Sequence, residues 1–435
     1  MSRPDTFEVS PGGRLSGTLR VPGDKSISHR ALMLGAIAEG HTRIRGFLEG
    51  EDTLATLAAF RAMGVTIERS AERVSIDGVG LHGLRRPVAP LDLGNSGTSM
   101  RLLAGLLAGQ RFDTTLTGDA SLSRRPMRRV TEPLTLMGAW IDTSPAGTAP
   151  LHIHGGRALT GIDYVSPVAS AQVKSCLLLA GLYAAGATRV SEPMLSRDHT
   201  ERMLEAFGCP VSTVATTVTV HGGPVLKGCD IDVPADISSA AFFMVGASIC
   251  PGSDITLEHV GINPTRTGII TVLRAMGADI TILNERRQGG EPVADLRVRH
   301  APLHGVRIGP EVVPAAIDEF PAIFIAAACA EGVTTLEGAG ELRVKESDRI
   351  ATMAENLRLL GIAADPLPDG MVIAGGRLGA GTVDAHDDHR IAMSFAIAGA
   401  RARGPVRILR CANVATSFPG FIDLARGAGL GIRGV

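Results

Sequence analysis

One unit, written six times, constrains this chain more than any other feature. Each copy opens on a polar residue, at Ser26, Asn95, Ser170, Asp236, Asp318 and Asp387, and runs into a helix of small apolar residues. A Gly or a turn follows, then a strand rich in Thr, Val and Ile, such as Gly332-Val-Thr-Thr-Leu-Glu. A second helix closes on a hydrophobic-glycine pair: Met63-Gly64, Met137-Gly138, Phe207-Gly208, Met276-Gly277, Leu360-Gly361 and Ala428-Gly429. Successive glycines lie 74, 70, 69, 84 and 68 residues apart. A period of roughly 70 is too long for the common solenoids and leaves each unit two helices and several strands. The closing glycines are expected at helix C-caps, where positive φ is needed.

The polar openings predict capped helix N-termini, each a weak anion-attracting dipole end worth ~0.3–1 kcal/mol. Discrimination between ligands must come from side chains. At 435 residues the chain exceeds a single core and predicts at least two domains. Lys and Arg number 43 against 44 Asp and Glu, with one Trp and two Tyr, so no global field or stacking surface points to nucleic acid. None of the six cysteines forms a CxxC pair, and several sit in apolar runs, which predicts core thiols in a reducing compartment. The apolar stretches fall short of the ~20 residues of a membrane span, and the N-terminus has no apolar signal core. A cytoplasmic protein is expected.

Four charged runs carry the chemistry. Gly23-Asp-Lys25-Ser26-Ile-Ser-His-Arg30 places two cations and a hydroxyl within about one helical turn. A cation at a helix start is electrostatically unfavourable, and a bound phosphate or carboxylate would give it a reason. Arg124-Arg125-Pro-Met-Arg128-Arg129 reads as a solvated face, or as a place where one or two arginines hold an anion bidentately. Glu341-Leu-Arg343-Val-Lys345-Glu346-Ser-Asp348-Arg349 reads as an exposed helix laced with i,i+4 pairs, or as a carboxylate positioned between cations to carry a proton. Asp387-Asp-His389-Arg390 reads as a helix cap; no matching His/Asp cluster supports a metal, and no P-loop motif is present.

Together with Asn95-Ser-Gly97-Thr98, Ser170-Ala171-Gln172-Val-Lys174, Arg197-Asp-His-Thr, Asp318-Glu-Phe-Pro and Thr416-Ser-Phe-Pro, these runs resemble the EPSP synthase family of enolpyruvyl transferases across nearly the whole chain. The wording Ala-Ser-Ala-Gln-Val-Lys and Arg-Asp-His-Thr is similar to its bacterial class II branch. The resemblance implies an α/β (α+β) enolpyruvyl transferase fold of two domains, each of three βαβαββ repeats with parallel buried helices. It implies one domain of residues 1–22 and 235–435 and another of residues 23–234, with helix N-termini facing a cleft. The implied reaction transfers the enolpyruvyl group of phosphoenolpyruvate to the 5-hydroxyl of shikimate 3-phosphate, without cofactor or metal, in a monomer with no nucleic acid or membrane partner.

By that resemblance Lys25, Ser26, Arg30, Ser170, Ala171, Gln172, Arg197, Asp318 and Lys345 would hold shikimate 3-phosphate. Lys25, Gly97, Arg125, Gln172, Arg349 and Arg390 would hold phosphoenolpyruvate. Asp318 would take the 5-hydroxyl proton and Glu346 would serve the methylene carbon, with Lys25 beside both substrates and Lys345 shaping the field. Two departures stand out. Thr416-Ser417 replaces a class I lysine, and Gly97 is kept where glyphosate-tolerant class II members carry a larger residue, which predicts greater sensitivity here. The alternative within the fold is UDP-N-acetylglucosamine enolpyruvyl transferase, but its reactive loop cysteine has no counterpart between Gly118 and Arg129.

Overall fold

The computed structural model describes residues 4–435. It holds six four-stranded sheets, one for each repeat, and every sheet contains one parallel pair and two antiparallel pairings. In the third repeat, for instance, Asp163–Val165 runs parallel to Ala187–Ser191, which pairs antiparallel with Thr217–His221, which pairs with Ser212–Val214.

Three strands leave their place in sequence. Thr6–Val9 inserts between Val406–Leu409 and Ile432–Gly434, with Phe7 opposite Ile408 and Gly434. Ser16–Leu19 runs parallel to Asp254–Gly261 in the fourth repeat, and Asp230–Asp232 returns to Glu39–Arg45 in the first. The chain accordingly forms two compact units, one of the stretch up to Pro22 with Pro234–Val435, the other Gly23–Val233.

Each unit is built around three helices with apolar residues on all sides, the pattern of a helix with no solvent face. In Gly23–Val233 these are Lys25–Ile37, Gly97–Ala108 and Ala171–Gly181. Small residues let them approach closely: a Cβ on Gly105 would lie 2.0 Å from the carbonyl oxygen of Cys176. In the other unit they are Ile237–Ile249, buried at every residue, Phe320–Cys329 and His389–Arg401. Phe418 and Phe421 pack against Phe243 in that core.

The repeat's closures form as the sequence predicts: all six glycines following the second helices have φ between 82° and 108°. The openings follow the prediction at five of six helices, where Asp24, Ser96, Ser170, Asp236 and Asp388 accept a backbone N–H from the first turn. Three of these caps lie one or two residues from the expected Ser26, Asn95 and Asp387. At the fifth repeat no side chain caps Phe320–Cys329. The chain there arrives from a short helical turn, Val313–Ala316, and Glu319 keeps helical dihedrals, so nothing adopts the extended conformation a cap requires. Asp318 is thereby left out of capping. All six cysteines are unpaired, and four of them are buried. No helix among the described residues is long and apolar enough to cross a membrane.

Candidate active site

The charged residues singled out in the sequence gather into two clusters, one in each unit. In Pro234–Val435 the centre is Asp318, just ahead of the buried helix Phe320–Cys329. Three cations face its carboxylate: Arg349 Nη1 at 3.6 Å, Lys345 Nζ at 3.9 Å and Arg390 Nη2 at 3.9 Å. Arg390 also donates to the Asp318 carbonyl at 3.1 Å.

The densest charge run in the chain is not one helix. A 3-10 turn, Gly340–Val344, ends at Lys345, Asp348 caps a new helix, and Arg349–Leu359 continues from it. The break lets neighbouring residues point to different tasks. Arg343 turns outward, donating to Asp348 and to the Pro368 and Leu367 carbonyls. Glu346 accepts from Arg349 Nη2 at 2.6 Å.

Arg349 is 0% exposed, which is tolerable only with a buried counter-charge. Asp388, also 0% exposed, supplies it, accepting from Arg349 Nε at 2.8 Å and Nη2 at 3.3 Å. The same carboxylate caps His389–Arg401 through the Arg390 N–H and accepts from Ser347. Burial opposes charge on both partners. Their mutual attraction wins, so Asp388 titrates below the usual carboxylate range and Arg349 above the usual arginine value. Burial holds Lys345 below the ordinary lysine value, an effect that Asp318 and Glu341 only partly offset. Thr416 is buried and its hydroxyl donates to the Asn413 carbonyl, so this position contributes no charge where class I has lysine.

The second cluster lies at the N-terminal ends of the three buried helices of Gly23–Val233. Lys25, first residue of its helix, is ion-paired with the buried Asp52. Arg30 turns inward and donates to Thr200 Oγ1 at 2.7 Å, Ser175 Oγ at 2.8 Å and the Ser26 carbonyl at 3.0 Å. Ser170 caps Ala171–Gly181. Gln172 bridges two repeats, accepting from Arg101 Nη1 at 2.8 Å and donating to Thr98 at 3.2 Å.

Of the four arginines between 124 and 129, Arg125 alone is buried, donating to Asn95 at 2.6 Å, while Arg124 and Arg128 are exposed. Gly97 sits between cations: a Cβ there would lie 2.9 Å from Arg101 Nη1 and 3.0 Å from Arg125 Nη1. Burial, with Lys25 and Arg30 adding repulsion, keeps the imidazole of His29 well below the usual histidine value, hence neutral. Arg197 is half-buried, ahead of the helix His199–Ala206. Three participants escaped the sequence reading: Asp52, Arg101 and the role of Asp388 as the partner of Arg349. No group of three or more His, Cys, Asp or Glu among the described residues is arranged to hold a metal ion.

Six repeats around buried helices, with carboxylates set among cations, define an enolpyruvyl transferase fold. The structure matches that of the enolpyruvyl transferase NikO from Streptomyces tendae with a TM-score of 0.81 over 99% of both chains, at 18% identity, which bears on the fold alone. An EPSP synthase from Acinetobacter baumannii matches with a TM-score of 0.88 at 56% identity, covering 98% of this chain and 99% of that one. The family model for EPSP synthase (3-phosphoshikimate 1-carboxyvinyltransferase) matches residues 9–424. The 3-phosphoshikimate 1-carboxyvinyltransferases of Alkalilimnicola ehrlichii and Methylococcus capsulatus are each 68% identical over 428 residues, covering 98% of this chain and 96% and 98% of theirs. The chain belongs to the EPSP synthase family.

Proposed function

We propose that the two clusters serve one reaction, the family's transfer of the enolpyruvyl group of phosphoenolpyruvate to the 5-hydroxyl of shikimate 3-phosphate, with release of phosphate. This is the activity of the EPSP synthase family, a step of the shikimate pathway, and the comparisons favour it over transfer to UDP-N-acetylglucosamine. The observation that carries the residue assignment is Asp318 facing three cations while Glu346 sits on one of them.

The unit Gly23–Val233 binds shikimate 3-phosphate through Lys25, Ser26, Arg30, Ser170, Ala171, Gln172 and Arg197. Lys25, Gly97, Arg125 and Gln172 serve phosphoenolpyruvate from the same unit. Pro234–Val435 supplies Arg349 and Arg390 to its phosphate and carboxylate, and Asp318 and Lys345 to the acceptor. Both substrates are anions, so these cations offset the repulsion of bringing them together.

As the 5-hydroxyl oxygen attacks C2 of phosphoenolpyruvate, Asp318 takes its proton and a proton is delivered to C3 from Glu346, giving a tetrahedral intermediate with a methyl group. Return of a methyl proton to Glu346 re-forms the double bond as the C2–O bond to phosphate breaks. Lys345, held below the ordinary lysine value, tunes the field at both carboxylates. The enzyme acts as a monomer in the cytoplasm, where its unpaired thiols stay reduced.

The test is 31P and 1H NMR of phosphoenolpyruvate incubated with each acceptor. Equimolar phosphate and a new enol ether with shikimate 3-phosphate, and neither with UDP-N-acetylglucosamine, is the expected result; the converse defeats the proposal.

A further inference from the structure

We infer that the buried pair Lys174–Glu192 is a positioning device that sets the geometry of the shikimate 3-phosphate site, an inference that rests on the residue assignment proposed above. Lys174 follows Gln172 by two residues, and its side chain is 1% exposed. Its ammonium donates to Glu192 Oε2 at 2.9 Å, Glu201 Oε1 at 2.8 Å and the Ser196 carbonyl at 3.4 Å, so its three protons have three acceptors. Burial opposes its charge, but Glu201 and Glu192 outweigh that and keep it protonated above the ordinary lysine value.

Glu192 stands just beyond the strand Ala187–Ser191 and is the element that reaches the site. Its Oε1 accepts the Ser170 backbone N–H at 2.7 Å, and both oxygens lie 2.8 Å from Ser196 Oγ. One carboxylate thus fixes the cap residue of Ala171–Gly181, which precedes Gln172, and the serine adjoining Arg197. Beside Lys174, Ser175 and Thr200 are hydrogen-bonded to each other and together grip Arg30. The acceptor-binding side chains of two segments are therefore registered against each other through a single ion pair.

Glu201 differs. It balances the lysine charge through Oε1, at 2.8 Å from the ammonium, but its second oxygen is buried without a hydrogen-bond partner. Two neighbouring carboxylates on one lysine therefore separate positioning from stability. An amide at 192 offers one acceptor oxygen to Ser170, Ser196 and Lys174 and turns an N–H toward the rest, so the register is lost. An amide at 201 leaves the Glu192 contacts in place.

Calorimetric titration of shikimate 3-phosphate into full-length Glu192→Gln, Glu201→Gln, Ser196→Ala and Arg197→Ala, with melting temperatures and the KM for phosphoenolpyruvate, tests this. Expected are a Kd at least tenfold weaker for Glu192→Gln, three- to tenfold weaker for Ser196→Ala and within threefold of wild type for Glu201→Gln. The KM for phosphoenolpyruvate stays within about threefold in Glu192→Gln and Ser196→Ala. Ser196→Ala removes one hydroxyl and keeps the test available should Glu192→Gln fold poorly. Equal Kd changes at Glu192→Gln and Glu201→Gln, tracking their melting temperatures, would reduce the pair to a stability element and overturn the inference. So would an unchanged Kd in Glu192→Gln and Ser196→Ala beside a weakened Arg197→Ala. An unchanged Kd in Arg197→Ala instead defeats the residue assignment itself, and this inference with it.

Discussion

Replacing Asp388 by asparagine removes one charge from the best-buried ion pair of the cluster around Asp318 while changing almost no volume. The carboxylate accepts four hydrogen bonds: two from Arg349, at 2.8 and 3.3 Å, one from the Arg390 N–H at 2.9 Å and one from Ser347 at 3.1 Å. Asparagine keeps one acceptor oxygen and presents an NH2 to donors. Losing one partner of a buried pair typically costs 3–5 kcal/mol. Glu346 and Asp318 remain near Arg349, which places the expected cost at the lower end, about 3 kcal/mol. For a unit of this size that corresponds to a fall in melting temperature of roughly 6–12 °C by scanning calorimetry.

The loss depends on pH in a fixed direction. The folded pKa of Asp388 lies below its unfolded value, so its stabilisation is complete above the unfolded pKa of about 3.9 and is lost as pH falls through the folded value. Wild type and mutant should therefore differ fully at pH 7 and converge in strong acid. Arg349, freed from Asp388, is drawn toward Glu346 and Asp318, and kcat/KM for phosphoenolpyruvate should fall about 100-fold, equivalent to about 2.7 kcal/mol. A mutant that melts within a degree of wild type at pH 7 with an unchanged kcat/KM would refute this account of the pair.

Further outcomes follow from the same geometry. Glu346→Gln keeps an acceptor for Arg349 but removes the ionisable group, so kcat should fall by about 10²–10⁴ with substrate KM values little changed; normal turnover with weak binding would contradict the role. Gly97→Ala pushes on Arg101 and Arg125, whose ends can yield, so KM for phosphoenolpyruvate should rise about tenfold, about half of one charge-assisted hydrogen bond, with little change in melting temperature. Wild type should be inhibited by glyphosate at low concentration, and Gly97→Ala should weaken that inhibition; a high inhibition constant that the substitution leaves unaltered counts against the reading of Gly97. Arg30→Lys keeps the charge but cannot serve Thr200, Ser175 and the Ser26 carbonyl together, so the Kd for shikimate 3-phosphate should weaken about tenfold in a titration; an unchanged Kd would show the guanidinium geometry to be dispensable.

The repeat and its glycine closures were legible because they depend on local conformation: the residue after Met63 or Leu360, which must take positive φ where the second helix of its unit ends, is marked by glycine. The cations and carboxylates were legible as types, because a reaction between two anions demands them. Their partners were not. Asp52 reads as an ordinary acid in a helix's first turn, and nothing local says that it pairs with Lys25. Arg101 reads as one charge in an apolar helix until Gln172 is brought to it from the next repeat. Asp388 was legible as a cap, whereas its second task depends on a helix that begins 39 residues upstream in sequence, a distance that periodicity cannot bridge. The strand Thr6–Val9 was placed with the C-terminal half by the family resemblance alone, since alternation predicts a strand and its faces but not which sheet receives it.

The proton assignments are the core of the proposed mechanism, and solvent deuterium reports on them directly. In a single turnover in D2O, protonation of C3 makes a methyl group, and its later deprotonation leaves deuterium in the product's methylene. Wild type should incorporate deuterium, and Glu346→Gln should lose both incorporation and phosphate release. Incorporation at the wild-type rate in Glu346→Gln would contradict the assignment of Glu346 to the methylene carbon.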